Sequence, residues 1–113
     1  MQILVIGGTG NFGKLIFEKL HKDSNVSLLV SVSRNKPSVK YQNVVYLQGD
    51  SNSGDFLKNI FNTYRFDVVI HIPNILLAEM VDLLDLCKIH HVKQLIVVGS
   101  AAMYTQLDAP TRE

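Results

Sequence analysis

Gly7, Gly10 and Gly13 stand three residues apart in IGGTGNFG, residues 6–13. The apolar run QILVI (2–6) precedes them and a helix-like pattern follows. A glycine at a strand end permits a tight turn. A glycine in the middle lets backbone approach a pyrophosphate, and a third lets a helix pack against a sheet. The helix N-terminus then offers unpaired N–H groups and a partial positive charge to phosphates. Thr9, Asn11 and Phe12 complete the turn. This spacing fits phosphate cradling by backbone. A glycine triplet alone is a weak signal, and its position between a strand and a helix makes it specific.

Other polar residues gather at strand ends. Ser33, Arg34 and Lys36 follow the run VSLLVSV (26–32), with no Asp or Glu close by in sequence. A guanidinium and an ammonium suit a 2′-phosphate, whereas a solvated basic loop is the plain alternative. Asp50 and Ser51 lie in the turn GDSNSG (49–54). Pro73 and Asn74 follow DVVIHI (67–72), and Ser100 follows KQLIVVG (93–99). His71 alternates with Ile70 and Ile72, which reads as packing. His90 and His91 are adjacent and cannot both face one metal from a helix. No metal site is expected. The single Cys87 excludes an internal disulfide and sits on an apolar stripe, which marks it as a core residue.

The elements that must position these residues alternate. The runs 2–6, 26–32, 43–47, 67–72 and 93–99 read as buried strands. Residues 11–22 read as a helix with Leu15, Ile16 and Leu20 on one face. Residues 55–64 space Phe56, Leu57, Ile60 and Phe61 at helical intervals, with Ser53 or Asp55 as cap. Residues 75–90 carry Leu76, Met80, Val81, Leu84 and Cys87 on a stripe. Residues 33–42 contain Pro37 and read as a loop. From residue 100 no period is evident, so 100–113 reads as a loop or tail.

Apolar strands alternating with helices predict an α/β Rossmann-like three-layer sandwich. Right-handed crossovers give a five-stranded parallel sheet of order 3-2-1-4-5. The crevice opens where the order reverses, between strands one and four. The 113 residues suffice for one domain, and the net charge of +1 gives no case for nucleic acid or an acidic membrane. No apolar run approaches the ~20 residues of a membrane span, and no signal-peptide pattern is present, so the expected compartment is cytoplasmic.

IGGTGNFG resembles the glycine turn of extended and atypical short-chain dehydrogenase/reductases, the group of NAD(P)-dependent sugar-nucleotide epimerases and dehydratases. QGDSNS, FDVVIHIPN, VKQLIVVGSAAMY and DAPTRE resemble later segments of the same family, in order. The resemblance covers nearly the whole chain but only the N-terminal, cofactor-binding part of a family member. It implies one NAD(P)-binding domain over 1–113. It places Gly7, Thr9, Gly10, Asn11, Phe12 and Gly13 on the pyrophosphate, and Ser33 and Arg34 on the adenosine ribose. Asp50 and Ser51 fall on the adenine, and Pro73 beside the cofactor ribose, where the family usually has small residues. NADP is preferred over NAD, on Arg34 and Lys36. Ser100 matches a residue that hydrogen-bonds substrate in the family, and a turn-capping role is the alternative.

The family's proton-transfer Tyr has a Lys four residues on. Tyr41, Tyr46, Tyr64 and Tyr104 each lack one. The chain alone is therefore expected to bind cofactor without turnover, and a sugar-nucleotide substrate is expected only for a longer form. A non-catalytic NAD(P)-sensing module is the second reading. Helices 55–64 and 75–90 should share one face of the sheet. That leaves strand five as an open edge and Val69, Ile96 and Val98, or their alternates, uncovered on the other face. A homodimer or self-association through strand 93–99 is the resulting expectation.

Overall fold

The structure, a computed structural model, describes residues 1–7, 11–37, 40–51, 53–73, 77–98 and 103–106. Its centre is β1 (Gln2–Ile6), whose last four residues are buried. β1 pairs in parallel on both sides, with β2 (Leu28–Ser33) and with β4 (Val68–His71). β3 (Val44–Gln48) lies beyond β2, and β5 (Gln94–Val97) beyond β4. These five parallel strands have the order predicted from sequence, β3-β2-β1-β4-β5. Strands buried on both faces are apolar along most of their length, with Ser31, Ser33 and His71 as the buried polar exceptions, which is why they could be read as near-continuous apolar runs.

A sixth strand, β6 (Met103–Gln106), was not expected. It pairs antiparallel with β5, from Gln94 opposite Gln106 to Val97 opposite Met103. The reading of 100–113 as loop or tail is corrected over these four residues, and β5 is not the sheet's edge. The reason is physical: the outer N–H and C=O groups of β5 need partners, and a short returning strand supplies them. Four residues carry too little pattern to announce such a strand.

Helices α1 (Asn11–Leu20), α2 (Gly54–Thr63) and α3 (Leu77–Ile89) complete three layers. α2 and α3 cover one face, where Leu4, Ile6, Val30, Val32, Val69 and Leu95 meet Leu57, Ile60, Phe61, Leu83 and Cys87. Burial pushes the Cys87 thiol up to about 12, as suits a small core residue. Phe61 and Phe66 meet edge to face in this layer, with ring centroids 5.7 Å apart. The α1 face holds Ile3, Val5, Leu29, Val68 and Ile70 against Phe17.

Three expectations about faces are corrected. Leu15 is 60% exposed, and α1 is anchored by Phe17 with Gly13 beneath it. A ten-residue helix shows an apolar arc without fixing its phase. On α3, Leu83 is buried while Val81 is 48% exposed. Val69 is fully buried under α2 and α3. Ile96 and Val98 are only partly buried, as expected, and lie with Ile72 on the α1 face. Beside α1 this face carries an open apolar groove of about 370 Å³, lined by Leu15, Ile16, Lys19, Leu20 and Ile70.

No helix joins β2 to β3 among the described residues, as the Pro37 loop predicted. Aromatic contacts stand in its place. Tyr41 stacks on His21 at 3.8 Å between ring centroids. The Tyr41 backbone N–H donates to the Tyr46 hydroxyl at 2.8 Å. Phe17 meets Tyr46 at 6.5 Å, joining α1 to β3.

Ser53 stands at the N-cap of α2 without a side-chain capping bond, and Asp55 lies in the first turn, where a carboxylate suits the helix dipole. Phe56, in the same turn, packs on Gly49. A Cβ at Gly49 would stand 2.5–2.7 Å from three ring carbons of Phe56, while a Cβ at Gly54 would meet nothing within 4 Å. Gly49→Ala is therefore expected to lower stability by about 1–3 kcal/mol through overpacking. Gly54→Ala should hold or raise it by up to ~1 kcal/mol. Urea unfolding of both variants checks the contrast, and a Gly49→Ala protein as stable as wild type would show that the ring moves aside.

Candidate functional site

The C-terminal ends of β1, β2, β3 and β4 come together where the strand order reverses. β1 ends at Ile6, and Gly7 follows with φ +81°, a left-handed conformation that favours glycine. The Gly7 N–H donates to the Val32 carbonyl at 2.7 Å. On the other side the Ile72 N–H donates to the Ile6 carbonyl at 3.0 Å. α1 begins four residues beyond Gly7, at Asn11, with Phe12 half exposed and Gly13 buried in its first turn. A buried glycine here has no side chain to hold the helix off the sheet. Thr9 and Gly10 lie outside the described residues, and so do the side chain of Asn11, Asn74 and Ser100.

Pro73 lies against Gly7. A Cβ built on Gly7 would fall 2.5 Å from Pro73 Cδ and closer still to Cγ. The loop after β4 therefore packs directly on the first glycine of the turn.

At the end of β2, Ser33 is buried, and its Oγ donates to the Asn35 carbonyl at 2.9 Å and accepts from the Asn35 N–H at 3.1 Å. The Gly49 N–H donates to the Ser33 carbonyl at 2.9 Å, and Gln48 Nε2 to the Arg34 carbonyl at 3.0 Å. These bonds tie the ends of β2 and β3 together. Arg34 and Asp50, predicted for neighbouring parts of one ligand, meet directly: Arg34 Nε lies 3.7 Å from Asp50 Oδ1, with both side chains largely exposed. The sequence showed no acidic residue near the end of strand two, and the structure brings one across from the β3 turn. Ser51 follows in the same turn, partly buried. At the ends of β2 and β3 is a small cavity of about 90 Å³ whose lining includes Ser31, Ser33, Asn35, Lys36, Lys40 and Tyr46. Lys40 was not singled out from sequence, because it enters only as the loop folds back.

His71 closes β4, in register with Ile6. It is buried, and its Nδ1 has no hydrogen-bond partner among the described residues. Burial pushes the imidazole below its ordinary 6.5, while the Pro73 backbone, the Glu79 carboxylate and its own backbone pull the other way by less.

The model of the NAD dependent epimerase/dehydratase family matches residues 3–113. No curated protein matches the chain in sequence. Solved structures resemble it in fold. The Bordetella bronchiseptica enzyme WbmG, in complex with NAD and UDP, superposes with a TM-score of 0.70 at 16% identity, over 86% of this chain and 36% of its own. A UDP-glucose 4-epimerase with UDP-glucose from Thermotoga maritima gives 0.71 at 20%, over 86% of this chain and 37% of its own. A short chain dehydrogenase family protein from Francisella tularensis gives 0.69 at 16%, over 88% of this chain and 50% of its own. The chain thus spans between about a third and a half of these relatives' lengths.

The buried His71 has a consequence for stability. Its folded-state pKa lies below the unfolded value, so unfolding takes up a proton as pH falls through about 6.5 and below. Stability should be full above that value and decline beneath it, by at most ~1.4 kcal/mol per pH unit for this one group. Urea titrations between about pH 7.5 and pH 5 should give a flatter profile for His71→Leu than for wild type. Parallel profiles would remove His71 from the acid response.

Proposed function

We propose that this chain, which belongs to the NAD dependent epimerase/dehydratase family, binds a nicotinamide dinucleotide across the C-terminal ends of β1–β4. One observation carries the reading: a left-handed glycine closes β1 at the reversal of strand order and leads into the head of α1. The residues fit the group. The glycine turn and the N-terminus of α1 would hold the pyrophosphate. Ser33 and Arg34 would take the adenosine ribose, and Asp50 and Ser51 the adenine. Pro73 would stand beside the cofactor ribose. When bound, such a cofactor supplies hydride transfer at its nicotinamide ring.

The form of the cofactor turns on Arg34. Arg34 and Lys36 favour NADP, and the family's description favours NAD. The Asp50 carboxylate competes for the guanidinium, so NADP would have to displace an exposed ion pair of small worth. Charge-assisted bonds to a 2′-phosphate are stronger than such a pair, and NADP remains our preference. We take residues 1–113 as one cofactor-binding unit and place it in the cytoplasm. Among the described residues no helix is long and apolar enough to cross a membrane.

No Tyr here has a Lys four residues on, so we assign no proton-transfer pair and expect no turnover from this chain. Ser100 stays as a substrate-side candidate, for a sugar nucleotide bound by a longer form. The second reading is a module that senses NAD(P) without catalysis. Self-association remains part of the proposal, moved from the edge of β5, which β6 occupies, to the apolar face. The groove beside Leu15 and Ile70 supports a second copy there. Sedimentation at tens of micromolar should show dimers that Leu15→Glu dissociates, and a monomeric wild type would refute this.

Isothermal calorimetry is the direct test of cofactor binding. Heat of binding is expected with NADP and, more weakly, with NAD. Arg34→Ala should weaken NADP by about tenfold or more, the cost of a charge-assisted contact, and change NAD far less. Absence of binding by either dinucleotide at millimolar concentration would end the proposal, and equal losses would end the 2′-phosphate role.

A further inference from the structure

Gly7 is held from two sides. Its N–H is bonded to the Val32 carbonyl of β2 at 2.7 Å. Its other flank, where any other residue would carry a side chain, is filled by Pro73, whose Cδ would lie 2.5 Å from a Cβ there. The Pro73 backbone nitrogen would stand 3.5 Å from that Cβ, an ordinary contact, so the clash is with the ring carbons Cγ and Cδ. A proline ring is closed on its own backbone and cannot swing away as a long side chain can. Pro73 also lacks an N–H, so it cannot continue the β4 ladder that donates through Ile72 to Ile6. The last regular bond between β1 and β4 is thus followed at once by a ring stacked on the first glycine of the turn.

From this we infer that Pro73 is a positioning residue for the glycine turn. Its ring occupies the side-chain space of Gly7 and fixes the direction in which the chain leaves β1 towards the helix that would face the pyrophosphate. The inference rests on the dinucleotide-binding reading, and it changes what Pro73 does within it. A ring that only narrowed the ribose approach would hinder the ligand. A ring that holds the turn assists it. The two roles have opposite signs on affinity.

The requirement for glycine at residue 7 also acquires a second cause. The φ of +81° disfavours any side chain. The ring adds a steric demand that belongs to the pair and not to Gly7 alone. Conformational strain stays when Pro73 is trimmed, whereas the clash is relieved.

The test is a double-mutant cycle on the full chain, with two readouts. Thermal unfolding is measured for wild type, Gly7→Ala, Pro73→Ala and the double variant. NADP and NAD affinities are measured by calorimetry on every variant that is folded, well below its midpoint. Gly7→Ala should lower the unfolding midpoint and abolish binding. Adding Pro73→Ala to it should recover part of the lost midpoint. Pro73→Ala alone should weaken the dinucleotide by roughly fivefold or more while it stays folded. Unchanged or tighter binding by Pro73→Ala overturns the inference, as does a double variant whose midpoint loss is the sum of the two singles. If Gly7→Ala fails to fold, the affinity of Pro73→Ala decides alone. Should wild type bind neither dinucleotide, the proposed function fails, and the coupling in midpoint then decides whether ring and glycine interlock.

Discussion

β1 is hydrogen-bonded on both sides over the same residues, and the rest of the molecule depends on that. Ile3 to Ile6 pair with β2 on one flank and with β4 on the other. A central parallel strand with both faces buried favours apolar residues, and residues 3–6 are Ile, Leu, Val and Ile. Its two neighbours are reached by chain paths on opposite faces of the sheet: α1 returns to β2, and α2 and α3 serve the other half. Those paths diverge beyond Ile6, and they leave a crevice there. Gly7, whose N–H still donates to the Val32 carbonyl, stands at the mouth of that crevice, so a left-handed turn at this position follows from topology.

This explains what was legible in the residues. Five strands and their order could be read because buried parallel strands are mostly apolar and crossovers have one hand. The loop from Arg34 to Asn43 was legible through Pro37 and its polar company. β6 was not, since MYTQ carries no period and its place is set by the unpaired edge of β5. On α1, Ile16 and Leu20 pack on the core as expected, but Leu15 faces out and the larger Phe17 takes the fully buried position. Propensity and pattern describe a helix. Which side faces inward depends on the sheet beneath it.

At the site, backbone features were legible and side-chain pairings were not. A turn that needs glycine shows glycine. An ion pair between Arg34 and Asp50 spans two strand ends that only the β2–β3 register brings together. That pair alters the electrostatic argument about the cofactor. A basic end of β2 suggests a site with unopposed positive charge, yet the guanidinium already has a carboxylate neighbour. Both groups are exposed, so solvent and salt screen their attraction. The pair is weak enough to exchange for a ligand phosphate, and Asp50 would then turn to whatever hydrogen-bond donors the ligand presents.

Two of the four strand ends at the crevice use the same packing device. Gly7 lies under Pro73 and Gly49 under Phe56, each glycine at a strand's C-terminal end and each ring from a segment that comes later in the chain. In both cases the ring covers main chain where a side chain would otherwise stand. Loops at a binding rim are often the least packed parts of a protein. Here rings brace two turns of the rim on the sheet, without the bulk a side chain would add on the strand. A ligand entering such a crevice would meet Gly7 and Gly49 already held in place and would lose less free energy in ordering them. The same bracing makes the rim intolerant of small changes. At Gly7 or Gly49 a single methyl has nowhere to go unless a ring moves, and of the two rings only that of Phe56 hangs on rotatable side-chain bonds.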